Sequence, residues 1–216
     1  LEPDNKDINY YYPTNDLVTG PDILFFWVAR MIIAGYEYAG EKPFSNVYLT
    51  GLVRDKQGRK MSKSLGNSPE PLGLIEKFGA DATRWYLITN ASPWDNLKFD
   101  LEGIKEVQRK FFGTLYNTYQ FFALYANVDG FSFKEKYIPV KDRPEIDRWI
   151  LSSLNTVIKK ATEYMDDYEP TQAGRVIEDF VDEHLSNWYV RLCRRRFWKG
   201  EYEQDKICAY QTLYEC

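Results

Sequence analysis

A chain of 216 residues, 44% hydrophobic and 17% aromatic, is long enough for one large or two modest packed domains. Its formal net charge of -4 excludes a uniformly basic nucleic-acid-binding surface, so any contact with RNA must come from local patches. Cys193, Cys208 and Cys216 lack the paired close spacing of a zinc site, no apolar targeting segment opens the chain, and the longest apolar stretch, residues 23–35, is interrupted by Arg30 and too short to span a bilayer. A reducing, cytoplasmic compartment and no membrane association are expected.

In chain order, residues 1–12 read as an extended polar-aromatic segment. Pro21 then stands in a first-turn position, and Ile23, Phe26, Trp27, Met31, Ala34 and Tyr38 fall at the spacing of one helical face, which predicts a mostly buried helix over 22–39. Gly40 and Pro43 end it. Residues 46–53, rich in β-formers, predict a strand, and Asp55, Gly58, Gly66, Asn67 and Pro69 supply turns around a basic loop. Two short helices follow, 71–78 and 81–89, separated by Gly79. From Leu101 onward only long helices are expected. Ile104, Val107, Phe111, Leu115 and Phe122 line the first; Ile146, Ile150, Leu154, Val157 and Ala161 the second; Ile177, Val181, Leu185, Trp188 and Leu192 the third. The connection 128–143 is a charged loop with room for a short extended piece, and 209–213 begin a fourth helix. With a first residue that is not Met and a helical pattern uncapped at Cys216, the chain reads as a fragment.

Three constellations carry chemistry. Lys60, Met61, Ser62, Lys63 and Ser64 put two lysines and two hydroxyls between a strand and a helix, and lysine's compact mobile charge suits a loop that follows a triphosphate during reaction. A solvated basic loop has the same composition. Asp22, Ile23 and Trp27 lie within about one helical turn of one another, so a carboxylate for an ammonium group and an apolar side-chain pocket could converge, although core and cap residues share that spacing. Residues 187–198 interleave Arg191, Arg194, Arg195 and Arg196 with aromatics including Trp198. Such a mixture serves phosphate contact and base stacking, or equally a helix C-terminus enriched in cations.

The run Lys60 to Ser64, continued by Leu65, Gly66 and Asn67, resembles the signature loop of class I aminoacyl-tRNA synthetases. The resemblance implies that Lys60 and Lys63 are catalytic, Lys63 foremost, and that Gly51, Leu52, Val53, Met61, Ser62 and Ser64 join them in binding ATP, with Mg2+ expected alongside and no ligand identified for it. Residues 10–77, including Pro13-Thr14-Asn15-Asp16-Leu17-Val18 and Phe25-Phe26-Trp27-Val28-Ala29-Arg30-Met31, look like valyl-tRNA synthetases, which places Asp22, Ile23 and Trp27 on amino-acid-pocket positions. The segment 187–198, Ser92-Pro93-Trp94-Asp95-Asn96-Leu97, and residues 109–117 resemble isoleucyl-tRNA synthetases at the junction into their anticodon-binding domain. That implies tRNA contacts for Arg191, Arg194, Arg195, Arg196 and Trp198.

The implied architecture is the α/β end of a Rossmann-type catalytic domain (1–99) followed by a mostly α-helical anticodon-binding bundle (100–216). The implied parent is a ligase for isoleucine, or for valine, or a hybrid of the two, with tRNA and ATP as partners. A non-catalytic RNA-binding protein with synthetase-derived domains is the reading from another class. His184 is the only histidine and reads as a helix-surface or interhelix residue. The paired-histidine signature of the class is absent, so the isolated chain is expected to be inactive.

Overall fold

The computed structural model describes residues 4–216. The first three residues of the segment expected to be extended lie outside that range. The rest of it is not extended: α1 (Lys6–Tyr11) is a short helix whose N-terminus Asn5 caps by accepting from the Asp7 and Ile8 amides.

The chain forms two compact units. One holds the residues up to Ser68 together with Ala91–Phe99, the other Pro69–Asn90 with Asp100–Cys216. The expected junction near residue 100 is one of the places where the chain passes between them.

In the first unit, β1 (Thr14–Thr19) pairs in parallel with β2 (Phe44–Leu49), and a helical run over residues 21–39 connects them. Parallel neighbours require such a crossover, and this is the βαβ arrangement of a nucleotide-binding fold. The run is irregular: a 3-10 turn at Pro21–Ile23, π turns at Leu24–Val28 and Gly35–Ala39, and α2 (Ala29–Ala34) between them. It is not mostly buried. Val28 and Gly35 face inward, while Phe25 is 84% and Tyr38 78% exposed. Apolar spacing marks a face seeking a partner; here Gly35 packs against Tyr12, Glu41 and Pro43, while Phe25, Phe26 and Tyr38 stay exposed.

The expected strand over 46–53 is broken. β2 stops at Leu49, and Val53 and Arg54 form β3, paired in parallel with β4 (Leu97–Lys98). The break falls where Gly51 passes against the backbone of Asp95; a Cβ there would land on the Asp95 carbonyl. Only glycine permits that approach.

The second unit is helical: α3 (Pro71–Phe78), α4 (Ala80–Thr89), α5 (Leu101–Val107), α6 (Gly113–Asp129), α7 (Glu145–Asp166), α8 (Pro170–Asp179), α9 (Arg191–Trp198) and α10 (Gln204–Glu215). A π segment, Gln108–Phe112, joins α5 to α6, and another, Phe180–Val190, joins α8 to α9. Glu70, Asp100 and Gly130 set ends as capping chemistry requires: the first two accept first-turn amides, and Gly130 takes a left-handed φ of 71°. One face of α8 docks on α4. Thr171 Oγ1 donates to the Ile88 carbonyl at 2.7 Å, Arg175 Nε donates to the Thr89 carbonyl at 3.1 Å, Gly174 leaves room for the Thr89 methyl, and Trp85 Nε1 donates to Glu178 at 2.6 Å.

The core gathers Phe111, Ile150, Phe180, Val181, Leu185, Tyr189, Cys193, Phe197 and Tyr210. Leu115, Trp188 and Leu192, expected to line it, lie on the surface. For Trp188 and Leu192 the reason is the π segment Phe180–Val190. Val181, Leu185, Tyr189, Cys193 and Phe197 recur every four residues, a period that wider π turns keep on one side and a strict 3.6-residue helix would rotate away. His184 stacks edge-on against Trp149 of α7 with ring centres 5.8 Å apart, an interhelix contact.

The loop 130–143 holds no strand. Two of its backbone groups are held by α10: Gln211 Oε1 accepts from the Ile138 amide and Gln211 Nε2 donates to the Lys136 carbonyl. Arg143 ties the same loop to Thr212 and Glu215. Among the described residues no helix is long and apolar enough to cross a membrane.

Candidate functional site

The basic loop is built on one buried carboxylate. Asp55 follows β3 and is 6% exposed. Its Oδ1 accepts from the Arg59 amide at 2.7 Å, and its Oδ2 from Arg59 Nε at 2.7 Å and Asn67 Nδ2 at 3.0 Å. The Asn67 hydrogen bond, helped by the Arg59 amide and guanidinium and opposed by burial, holds the Asp55 carboxyl at about 2, below its ordinary 3.8. Asn67 closes the ring: its Oδ1 accepts from the Ser62 amide at 2.9 Å and its Nδ2 reaches the Lys60 carbonyl at 3.3 Å. Gly58 turns the chain at φ 81°, and a bridge between Arg54 and Lys60 starts the return. Ser62 Oγ lies 3.1 Å from Ser64 Oγ and accepts from the Leu65 amide.

That scaffold leaves the charges outward. Lys60 Nζ approaches Asp22 Oδ2 at 3.8 Å with its side chain 74% exposed, and exposed Lys63 has no ion-pair partner among the described residues. Met61 and Ser62 are half-buried and Ser64 is exposed. A pair of mobile ammonium groups on a backbone pinned from beneath can meet a polyanion without rebuilding the loop.

Asp22, Ile23 and Trp27 stand beside it, where β1 ends and the helical run begins. Trp27 Nε1 donates to Thr19 Oγ1 at 2.9 Å, which ties the indole to the last residue of β1. Thr19 is itself 5% exposed, while Ile23 and Trp27 keep 42% and 38% of their surface open. The Thr50 amide donates to the Thr19 carbonyl, so both strands end together at their carboxyl side, the edge where open α/β sheets receive ligands. Asp22 thus joins the candidate amino-acid pocket to the lysine loop through Lys60. Gly51, Leu52 and Val53 flank the same edge. The Gly51 amide donates to the Pro93 carbonyl and the Leu52 amide to Asn96 Oδ1, so these two N–H groups hold the chain together and are not open to a base. Asn67, Thr19 and Asp55 are parts of this site that sequence reading missed. Their signal was weak, because a buried Asp among turn residues looks like any other turn former.

In the helical unit, Arg191, Arg194, Arg195 and Trp198 of α9 are exposed. Arg196 is not available with them. Its guanidinium grips Asp147 of α7 with a bidentate pair, 2.6 and 2.8 Å, and also bonds Asp205 of α10. Asp147 is fully buried and also accepts from the Tyr189 hydroxyl at 2.8 Å. Burial works against the Arg196 charge, and the hydrogen-bonded carboxylate of Asp147 outweighs it, so its pKa rises. Buried Tyr189 is likewise pushed well above its ordinary value, first by desolvation and then by Asp147. Arg196 therefore clamps three helices together, a role invisible in a run of four arginines. Among the described residues no group of three or more His, Cys, Asp or Glu side chains is placed to hold a metal ion.

Comparison with known proteins addresses the family and the fold. Residues 1–100 match the family model for tRNA synthetases class I (I, L, M and V), and residues 147–216 match the anticodon-binding domain of tRNA ligase. An isoleucine--tRNA ligase of Bacteroides thetaiotaomicron is 56% identical over 219 residues, covering 99% of this chain and 18% of that protein. One from Porphyromonas gingivalis is 58% identical over 203 residues, covering 94% of this chain and again 18% of its own length. A valine--tRNA ligase of Clostridium acetobutylicum is 42% identical over 98% of the chain. In fold, the chain is similar to Mycobacterium tuberculosis methionyl-tRNA synthetase in complex with methionyl-adenylate, with TM-score 0.78 and 22% identity over 99% of this chain and 41% of that one. The chain thus spans about a fifth of the length of the isoleucine ligases it matches. Those relatives run through both the valyl-like and the isoleucyl-like stretches, so a change of resemblance near residue 80 does not require a hybrid of two parents.

Proposed function

We propose, since this chain belongs to the class I aminoacyl-tRNA synthetases, that it is the lysine-loop end of a catalytic domain, residues 1–99, joined to the start of an anticodon-binding bundle, residues 100–216, of an isoleucine--tRNA ligase. The observation that carries this reading is identity of 56% and 58% to isoleucine ligases over nearly the whole chain, together with a complete lysine loop. The parent reaction has two steps. Isoleucine and ATP give an aminoacyl-adenylate and pyrophosphate, and a terminal hydroxyl of tRNA then attacks the activated carbonyl, loses its proton and expels AMP to leave the aminoacyl ester.

In this scheme Asp22 takes the substrate ammonium, and Ile23 and Trp27 set the width of the apolar pocket. Lys60 and Lys63 stabilise charge developing on the leaving pyrophosphate, with Met61, Ser62, Ser64 and the Gly51 to Val53 backbone beside the nucleotide. Magnesium would travel with the phosphates, and no side chain of this segment is assigned to it. Arg191, Arg194, Arg195 and Trp198 contact tRNA. The protein works in the cytoplasm, consistent with its free cysteines.

Lys63→Ala, made in a synthetase of the relatives' length, is expected to lower kcat for pyrophosphate exchange by about 100- to 1000-fold while leaving the amino acid KM within about twofold. A loss confined to KM would refute the assignment, and no loss at all would favour a non-catalytic RNA-binding module. The 216-residue chain alone lacks the paired-histidine half of the site and should show no exchange. A valine ligase is the second reading, favoured by the 42% identity to the Clostridium enzyme and by the Ile23 and Trp27 pocket.

A further inference from the structure

We propose that Trp188 is a base-stacking residue that, with Trp198, brackets the cationic face of α9 and selects unpaired nucleotides over duplex. The inference rests on the reading of α9 as a tRNA-contacting helix and adds a residue whose spacing alone points to the core. Trp188 is 55% exposed and Trp198 52% exposed, whereas Tyr189, Val190, Cys193 and Phe197 of the same run are buried. Within α9, Arg191, Arg194, Arg195 and Trp198 recur as i, i+3, i+4 and i+7 and are exposed, and Trp188, exposed near the end of the π segment, precedes that strip by less than one turn. Residues 191–199 contain no acidic side chain, and with Arg196 paired to Asp147, the open cations are Arg191, Arg194, Arg195 and Lys199.

Two half-exposed indoles at the two ends of that strip are costly in water and useful to a ligand with flat, apolar faces. Ten residues of helix separate them by about 15 Å, room for two or three unstacked nucleotides whose phosphates run over the arginines between. Lys199 already lies 5.2 Å from the Trp198 ring centre, a cationic edge on that platform. Paired bases are stacked on each other and offer no free face, so the two rings favour a single-stranded loop.

The test measures binding of the 216-residue chain to an isoleucine tRNA transcript and to an RNA duplex of equal length, from about 50 to about 300 mM salt. Trp188→Ala is expected to weaken tRNA binding about 5- to 100-fold with the salt slope unchanged and duplex binding unaltered, because stacking releases no counterions. Trp188→Phe should retain binding within about threefold, and Trp188→Leu should behave like the alanine variant. Arg194→Ala with Arg195→Ala should instead lower the salt slope. If the arginine pair weakens tRNA binding and Trp188→Ala stays within about twofold of the unaltered chain, the stacking role is overturned while the helix remains an RNA surface. If neither set has an effect, the RNA reading of α9 falls and the inference with it. Equal losses on duplex and tRNA, or Trp188→Phe as weak as Trp188→Leu, would also overturn it.

Discussion

Replacing Arg196 by methionine isolates the buried pair at the centre of the bundle. The change removes both guanidinium bonds to Asp147 but keeps a flexible apolar stem of similar length, so the cost reports the orphaned carboxylate more than a cavity. Asp147 is fully buried, and the Tyr189 hydroxyl is its remaining donor among the hydrogen bonds described above. Breaking one partner of such a pair costs about 3–5 kcal/mol. The additional bond to exposed Asp205 adds little, at most about 1 kcal/mol. Removing only the Tyr189 hydroxyl, by Tyr189→Phe, should cost about 1.5–3 kcal/mol, since it donates to a charged acceptor. Asp147→Leu combined with Arg196→Met deletes both charges and should recover most of the about 3–5 kcal/mol lost in Arg196→Met alone, less the cost of the Tyr189 hydroxyl left without its acceptor. Urea unfolding followed by helical circular dichroism measures this. With a slope of about 1–3 kcal/mol/M, the single variant should move the midpoint by roughly 1–5 M. A loss under about 1 kcal/mol for Arg196→Met, or a double variant as unstable as the sum of its parts, would refute the clamp. Returned to solvent, Arg196 would again be a candidate for RNA.

Two further expectations concern the lysine-loop unit. Asp55 is depressed from 3.8 to about 2, so its hold on the loop is fully present above the ordinary carboxylate range and is lost as pH falls through about 2. Amide shifts of Arg59 and Ser62 should titrate with that midpoint, and a midpoint near 3.8 would mean the carboxylate is not gripped. Gly51→Ala should push the chain off Asp95 and break the Gly51 to Pro93 hydrogen bond, destabilising the unit by about 1–3 kcal/mol with faster amide exchange at Val53. A variant that melts like the parent would show that the backbone approach is loose.

Much of the local order was legible from residue order alone. Gly79 separates α3 from α4, long helices begin at Leu101, and the lysine loop sits between strand and helix, because turns and apolar period are properties of neighbours in the chain. The five residues Lys60 to Ser64 needed no fold to be noticed.

What the chain could not announce is where distant residues meet. Period-3.6 reasoning put Trp188 and Leu192 in the core, and π turns moved them to the surface. Four arginines looked equivalent until Asp147, 49 residues before Arg196, took one of them inward. The apolar helix over 22–39 looked buried, since hydrophobicity states a demand for cover and does not say whether this segment supplies it. Asp55 became the root of the loop only through Asn67, 12 residues on. Local propensity is written along the chain, whereas burial, ion pairing and the outward face of a helix are set by contacts between segments that sequence separation hides.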